Sequence, residues 1–222
     1  MSSIYELKSR FQNILRPSVV RLHALGVTAN QVTLGTAVIS VFISLIIAIS
    51  TTYQIYSTFL IIPIWMFIRM ALNAIDGMLA KEFGQQSYLG AYLNELCDVI
   101  SDTSLYLCFI GLISVNSSLL LLVIFLSVLS EYAGILGPLV SAERRYDGPM
   151  GKSDRAAVFG GLGLYIGLSP CFNTSHIYNQ LSLYFPNILL GCCIALLMMT
   201  IYNRVRRGIQ QTTYSNEKSK DV

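Results

Sequence analysis

Long apolar runs dominate the chain, and the polar residues that interrupt them carry most of its information. Runs of about twenty apolar residues, the length a helix needs to cross a bilayer, fall near 31–50, 56–80, 88–113, 117–140, 154–170 and 183–203. The second, third and fifth are interrupted by polar side chains. The pattern predicts an all-α integral membrane protein with about six transmembrane helices in one unit over residues 31–207. Ahead of it, Ile4, Leu7, Phe11, Ile14 and Leu15 recur at helical spacing beside Lys8, Arg10 and Arg16. That stretch, 1–30, is expected to be an amphipathic helix lying in the membrane interface, broken near Pro17. Residues 208–222 are polar and poor in apolar side chains, and are expected to form a disordered cytoplasmic tail. The first apolar run starts only after Gln31, too late for a signal peptide.

Composition and charge sharpen this picture. Hydrophobic residues make up 54% of the 222 and charged ones 12%, about half the charge of a soluble domain, so lipid is the solvent. Lys8, Arg10, Arg16 and Arg21 precede the first run, and Lys81 lies between the second and third. Arg144, Arg145, Lys152 and Arg155 surround the fourth-to-fifth connection, and five more basic residues follow the sixth run. The opposite connections, around 51–55, 114–117 and 171–182, contain no Lys or Arg. Multi-pass topology with both termini cytoplasmic follows from the positive-inside rule, and His176 falls in an extracytoplasmic loop. The net charge of +3 suits anionic headgroups. A nucleic-acid partner is not expected, because no basic face with aromatic platforms is present. The five cysteines are odd in number and form no CxxC pair, which argues against a disulfide framework or a zinc site.

Ionisable residues within spans cost several kcal/mol and usually face the bundle interior or a watery cavity. Here they gather in one stretch, from Asn73 to Asp102. Asn73, Asp76 and Ala80 share a helix face, and Gly90, Asn94, Asp98 and Asp102 follow at spacing four. Two helices joined by a short loop pack antiparallel, so the two stripes can face each other near the cytoplasmic surface. Converging oxygen ligands suit a hard divalent cation, Mg²⁺ or Mn²⁺, of the kind that works with substrate phosphates. Gly77, Ala80 and Gly90 leave space beside the acids, either for a ligand or for close helix packing.

Asn73, Asp76, Gly77, Ala80, Lys81, Gly90, Asn94 and Asp98 stand in the register of the signature D-x2-D-G-x2-A-R-x8-G-x3-D-x3-D. In this the chain resembles the CDP-alcohol phosphatidyltransferases, and GVTANQVT, Gly26 to Thr33, is similar to the segment that opens the family's first span. The resemblance implies a homodimeric membrane enzyme that transfers a phosphatidyl group from CDP-diacylglycerol to a polar alcohol and releases CMP. By position it implies that Asp76, with Asn73, Asn94 and Asp98, holds divalent metal, and that Asp98 is the base toward the acceptor hydroxyl. Gly77, Ala80 and Gly90 would make room for the nucleotide, and Lys81 would meet its phosphates. The compact chain points to a bacterial inner membrane.

Asn73 and Asn94 stand where the signature has aspartates, and Lys81 where it has arginine. Asparagine keeps a carbonyl oxygen but gives up the charge, so Asp76 and Asp98 together balance one divalent ion. One metal is therefore expected to bind firmly, and a second only with the diphosphate. Lysine loses arginine's bidentate fork. YDGPMGKSDRA, Tyr146 to Ala156, reads as a turn into a helix capped by Ser153 or Asp154, with Lys152 and Arg155 in a phosphate or acceptor cradle or as ordinary cytoplasmic charges. Arg69, Glu131 and Asp102 read as a structural ion-pair group among spans, with a catalytic role as the alternative. Two other readings stand beside the enzyme: a catalytically silent relative that binds CDP-lipid or metal, and an ion or proton transporter.

Overall fold

The structure is a computed structural model that describes residues 4–172 and 176–218, with side chains over 10–171 and 184–212. Among these residues seven helices follow one another: α1 (Ile4–Ala24), α2 (Ala29–Thr52), α3 (Ile61–Glu82), α4 (Tyr88–Leu107), α5 (Ser117–Ile135), α6 (Lys152–Phe172) and α7 (His176–Lys218). Short 3₁₀ turns precede α3 and follow α4 and α5, and no strand occurs among the described residues. Each predicted apolar run coincides with one of α2 to α7. Among the described residues, four helical stretches are long and apolar enough to cross a membrane: Ala29–Thr52, Tyr56–Glu82, Ser117–Ile135 and Tyr184–Thr212. The other two, α4 and α6, contain Glu95, Asp98 and Asp102, and Lys152, Asp154 and Arg155, respectively.

Three local expectations need correction. α1 runs unbroken through Pro17. Its Val19 is buried with Ile75, Met78 and Leu79 of α3, and Arg16 pairs with Glu82 at 2.9 Å. Docking along the helix outweighs the loss of one backbone donor. At the other end, α7 continues to Lys218 through most of the stretch read as a disordered tail; 219–222 lie outside the described residues. Arg145 donates to Gln211 Oε1 (3.0 Å) and Thr212 to the Val140 carbonyl (2.6 Å), so the α5–α6 connection holds the polar helix end in place. Finally, α7 begins at His176, so 176–182 extends a helix where a loop was expected; residues 173–175 lie outside the described residues.

Packing puts the polar segments together. α2 lies against both α3 and α4, α5 against α7, and α6 against α3 and the turn before it. A core around Tyr106 and Phe159, stacked with ring centroids 3.8 Å apart, joins α4 to α6. On α6, Gly163 and Gly167 allow close contact: a Cβ on Gly167 would come within 2.7 Å of the Leu60 side chain, and one on Gly163 within 3.0 Å of Ile62. Small residues set helix spacing in this way where lipid offers no hydrophobic drive. A capping box at Thr28 and Gln31 starts α2, and Ala29 N–H donates to Gln85 Oε1 at 2.8 Å. The opening of α2 is thereby tied to the α3–α4 turn.

Candidate active site

The two predicted stripes do face each other. Asn73 Nδ2 on α3 donates to Asp98 Oδ1 on α4 at 3.1 Å. Asp76, one turn further along α3, is buried and accepts a 2.8 Å hydrogen bond from Thr33 Oγ1 of α2. Asn73, Asn94 and Asp98 line a cavity of about 470 Å³ together with Glu95, Arg144 and Lys152. Asp76 lies outside that lining. Gly77 has open space where a Cβ would stand, whereas Ala80 packs against the α1–α3 cluster. Gly90 allows a close approach of α2: a Cβ there would meet Asn30 Oδ1 at 2.8 Å. Lys81 is exposed near the end of α3 and makes no ion pair among the described residues.

Asp98 is heavily engaged. Lys152 at the start of α6 forms a salt bridge with its Oδ2, and Arg69 Nη2 stands 3.4 Å from its Oδ1. Beneath it runs a chain of buried ion pairs. Arg69 binds Asp102; Arg155 Nη2 lies 3.3 Å from Asp102 and 2.9 Å from Glu131; Arg204 Nη1 lies 3.5 Å from Glu131. The ion-pair group read from Arg69, Glu131 and Asp102 is thus present, with Arg155 and Arg204 as further members. Arg155 is only 2% exposed and does not line the polar cavity. Of the two cradle residues, Lys152 faces the cavity and Arg155 is used to hold helices together.

The α5–α6 connection closes one side of the cavity. Gly148 has φ +122°, and a Cβ there would lie 2.6 Å from Thr200 of α7, so only glycine fits. Thr200 Oγ1 accepts from Met150 N–H at 3.0 Å. Asp147 accepts from Arg145 and Arg207, each at 2.7 Å; partial burial opposes its ionisation, but these bonds hold its carboxyl below the usual carboxylate range. Of the two candidate caps, Asp154 makes the contact, accepting Gly151 N–H at 2.9 Å.

A second, apolar groove of about 840 Å³ opens between α3 and α6, lined by Pro63, Met66, Phe67, Met70, Gly161 and Leu164. Asn73, Asp102, Tyr146, Lys152 and Ser153 border both spaces. A polar chamber of carboxylates and cations therefore meets a groove suited to hydrocarbon.

The model of the CDP-alcohol phosphatidyltransferases matches residues 26–202, from the loop before α2 into α7. The chain belongs to that family. It is a membrane transferase, and it shares its fold with solved relatives. It is 41% identical over 204 residues to inner membrane protein YnbA of Escherichia coli (strain K12), covering 92% of this chain and 95% of that protein. The crystal structure of Mycobacterium tuberculosis phosphatidylinositol phosphate synthase (PgsA1) with CDP-DAG bound has a TM-score of 0.68 at 18% identity, covering 88% of this chain and 94% of that one. The same enzyme in complex with manganese and citrate has a TM-score of 0.65 at 17% identity, covering 86% and 87%.

In this family member no three His, Cys, Asp or Glu side chains gather closely enough to hold a metal among the described residues. Amide oxygens of Asn73 and Asn94 would have to complete any such site. What the sequence reading missed is the pairing of Glu95 with Arg144, a two-pronged contact with Nη2 to Oε2 at 2.8 Å. Their separation by 49 positions leaves no periodic signal. Arg204 had one: it follows Thr200 by four residues on α7, on the same face.

Proposed function

We propose that the protein transfers a phosphatidyl group from CDP-diacylglycerol to a polar alcohol and releases CMP, with Mg²⁺ or Mn²⁺ as cofactor. One observation carries this reading: the polar chamber at Asp98 and Lys152 joins the apolar groove between α3 and α6. A lipid with a diphosphate head needs such a junction, with its acyl chain in the groove and its phosphates beside Lys152.

In the reaction the acceptor hydroxyl oxygen attacks the lipid-bearing phosphorus, its proton passes to Asp98, and the bond to the CMP oxygen breaks with the electron pair leaving on CMP. Asp98 must first part from Lys152, which then turns to the donor phosphates. Lys81 and the open face at Gly77 serve the nucleotide, with Ala80 and Gly90 setting helix spacing around it. Asp98 and the Asn73 and Asn94 amide oxygens, with Asp76 once it turned in from outside the chamber lining, would supply a hard oxygen set of charge −2 for one divalent cation. Bound there, the cation would neutralise charge building on the diphosphate. The PgsA1 crystals with CDP-DAG and with manganese support both assignments by analogy of fold.

Six helices span the bacterial inner membrane with both termini cytoplasmic in this reading, supported by the charge asymmetry and by the name of the E. coli relative. α1 lies in the interface, where its exposed Ile14 and Val20 meet headgroups. A homodimer follows from the family resemblance. The engagement of Asp98 by Lys152, Arg69 and Asn73 favours a second reading, a silent relative that binds CDP-lipid without turnover. Metal-dependent CMP release by purified protein, lost in Asp98→Asn, tests the enzyme. No release with retained CDP-lipid binding would select the silent relative, and ion flux in proteoliposomes a transporter.

A further inference from the structure

From the ion pairs that line the polar cavity, we infer that the acceptor is an uncharged polyol and that Glu95 excludes phosphorylated alcohols. This rests on the phosphatidyltransferase reading. The cavity wall has three cations, Arg144, Lys152 and Arg204, and five carboxylates. Each cation is already matched. Arg144 presents both terminal nitrogens to Glu95 in a two-pronged pair, the geometry by which arginine grips a phosphate. Arg204 is buried against Glu131 and the Ser130 and Asp147 carbonyls. Lys152 holds Asp98, and when it is released it faces the donor diphosphate. Asp102 and Glu131 are in turn matched from behind by Arg69 and Arg155.

No surplus positive charge is left for an acceptor phosphate. A phosphomonoester dianion entering beside Arg144 would have to displace Glu95, then sit next to the displaced carboxylate. Like charges at that distance are unfavourable at any plausible dielectric. A polyol meets no such penalty. Its hydroxyls can donate to Glu95 and Asp98 and accept from Arg144 without breaking the pair. Pairing of a potential anion-binding arginine by a carboxylate from another helix is a means of rejecting a charged competitor.

The test uses the full chain in detergent with CDP-diacylglycerol, metal, and matched acceptors: glycerol against glycerol 3-phosphate, inositol against inositol phosphate. The wild type is expected to release CMP at least about tenfold faster with the uncharged member of a pair. Glu95→Gln keeps the size of the side chain and leaves Arg144 only its longer 4.0 Å pair with Glu131, and should reduce that preference about tenfold or more. A binding arm needs no turnover: glycerol 3-phosphate should raise the melting temperature of Glu95→Gln more than that of the wild type, and Arg144→Gln added to Glu95→Gln should abolish the gain. Faster CMP release with the phosphorylated member in the wild type overturns the inference, as does a preference unchanged in Glu95→Gln. If no acceptor releases CMP, the phosphatidyltransferase reading fails and the binding arm decides; equal glycerol 3-phosphate shifts in wild type and Glu95→Gln then overturn the role of Glu95.

Discussion

Replacing Arg155 with alanine removes a guanidinium that is 2% exposed and joins three helices. It takes a cation 3.3 Å from Asp102 of α4 and 2.9 Å from Glu131 of α5, along with bonds to Ser130 Oγ and the Met150 carbonyl. Breaking a buried ion pair from one side costs about 3–5 kcal/mol, because the partner is left charged and poorly solvated. Here the lower end applies. Asp102 keeps Arg69, and Glu131 keeps Arg204 at 3.5 Å, so neither acid is wholly abandoned. A loss of about 3 kcal/mol corresponds to a melting temperature lowered by roughly 6–12 °C for a chain of this size. Thermal unfolding in detergent, followed by a single-tryptophan or dye signal, reads this directly. Arg155→Met combined with Glu131→Gln should recover part of the loss, since one orphaned charge is then gone. If Arg155→Ala melts within about 2 °C of the wild type and instead raises the KM for the acceptor, the side chain faces substrate and this reasoning is refuted.

Other outcomes follow from the same geometry. Gly161 has no atom within 4 Å of where its Cβ would be and borders the apolar groove, so Gly161→Leu should leave melting unchanged and reduce turnover of long-chain CDP-lipid about tenfold. Short-chain donors should be less affected, as assayed by CMP release. Asp147, held below the usual carboxylate range by Arg207 and Arg145 against the cost of burial, should contribute stability that is complete above the unfolded value of about 3.9 and is lost as pH falls through the lower folded value. Asp147→Asn should flatten that acid limb in a melting-versus-pH series. Calorimetric titration without substrate should find one Mg²⁺ or Mn²⁺ site, abolished in Asp98→Asn; two tight sites would contradict the charge count of Asp76 and Asp98.

Helix positions, the meeting of the Asn73 and Asp98 stripes and the family register were all legible from residue order. Each depends on periodicity or on spacing along one or two adjacent helices, and a lipid solvent leaves long apolar runs few alternatives to helix. The unbroken α1 was not legible, because docking of Val19 and Arg16 on α3 compensates for Pro17 and local propensity does not include it. The extension of α7 to Lys218 was hidden for the same reason: polar residues there are held by the α5–α6 connection.

The chain's order alone determined a helical membrane protein with its acids concentrated at one level, and the residue types along the facing Asn73 and Asp98 stripes. Tertiary structure alone decided which charges remain available for chemistry. Arg155 and Lys152 are three positions apart and look equivalent in sequence, yet one is buried among Asp102 and Glu131 and the other faces the cavity. Arg144 and Glu95 meet across 49 residues. Coulomb energy depends on distance and burial, and for partners on different helices neither is written in the local pattern of the chain.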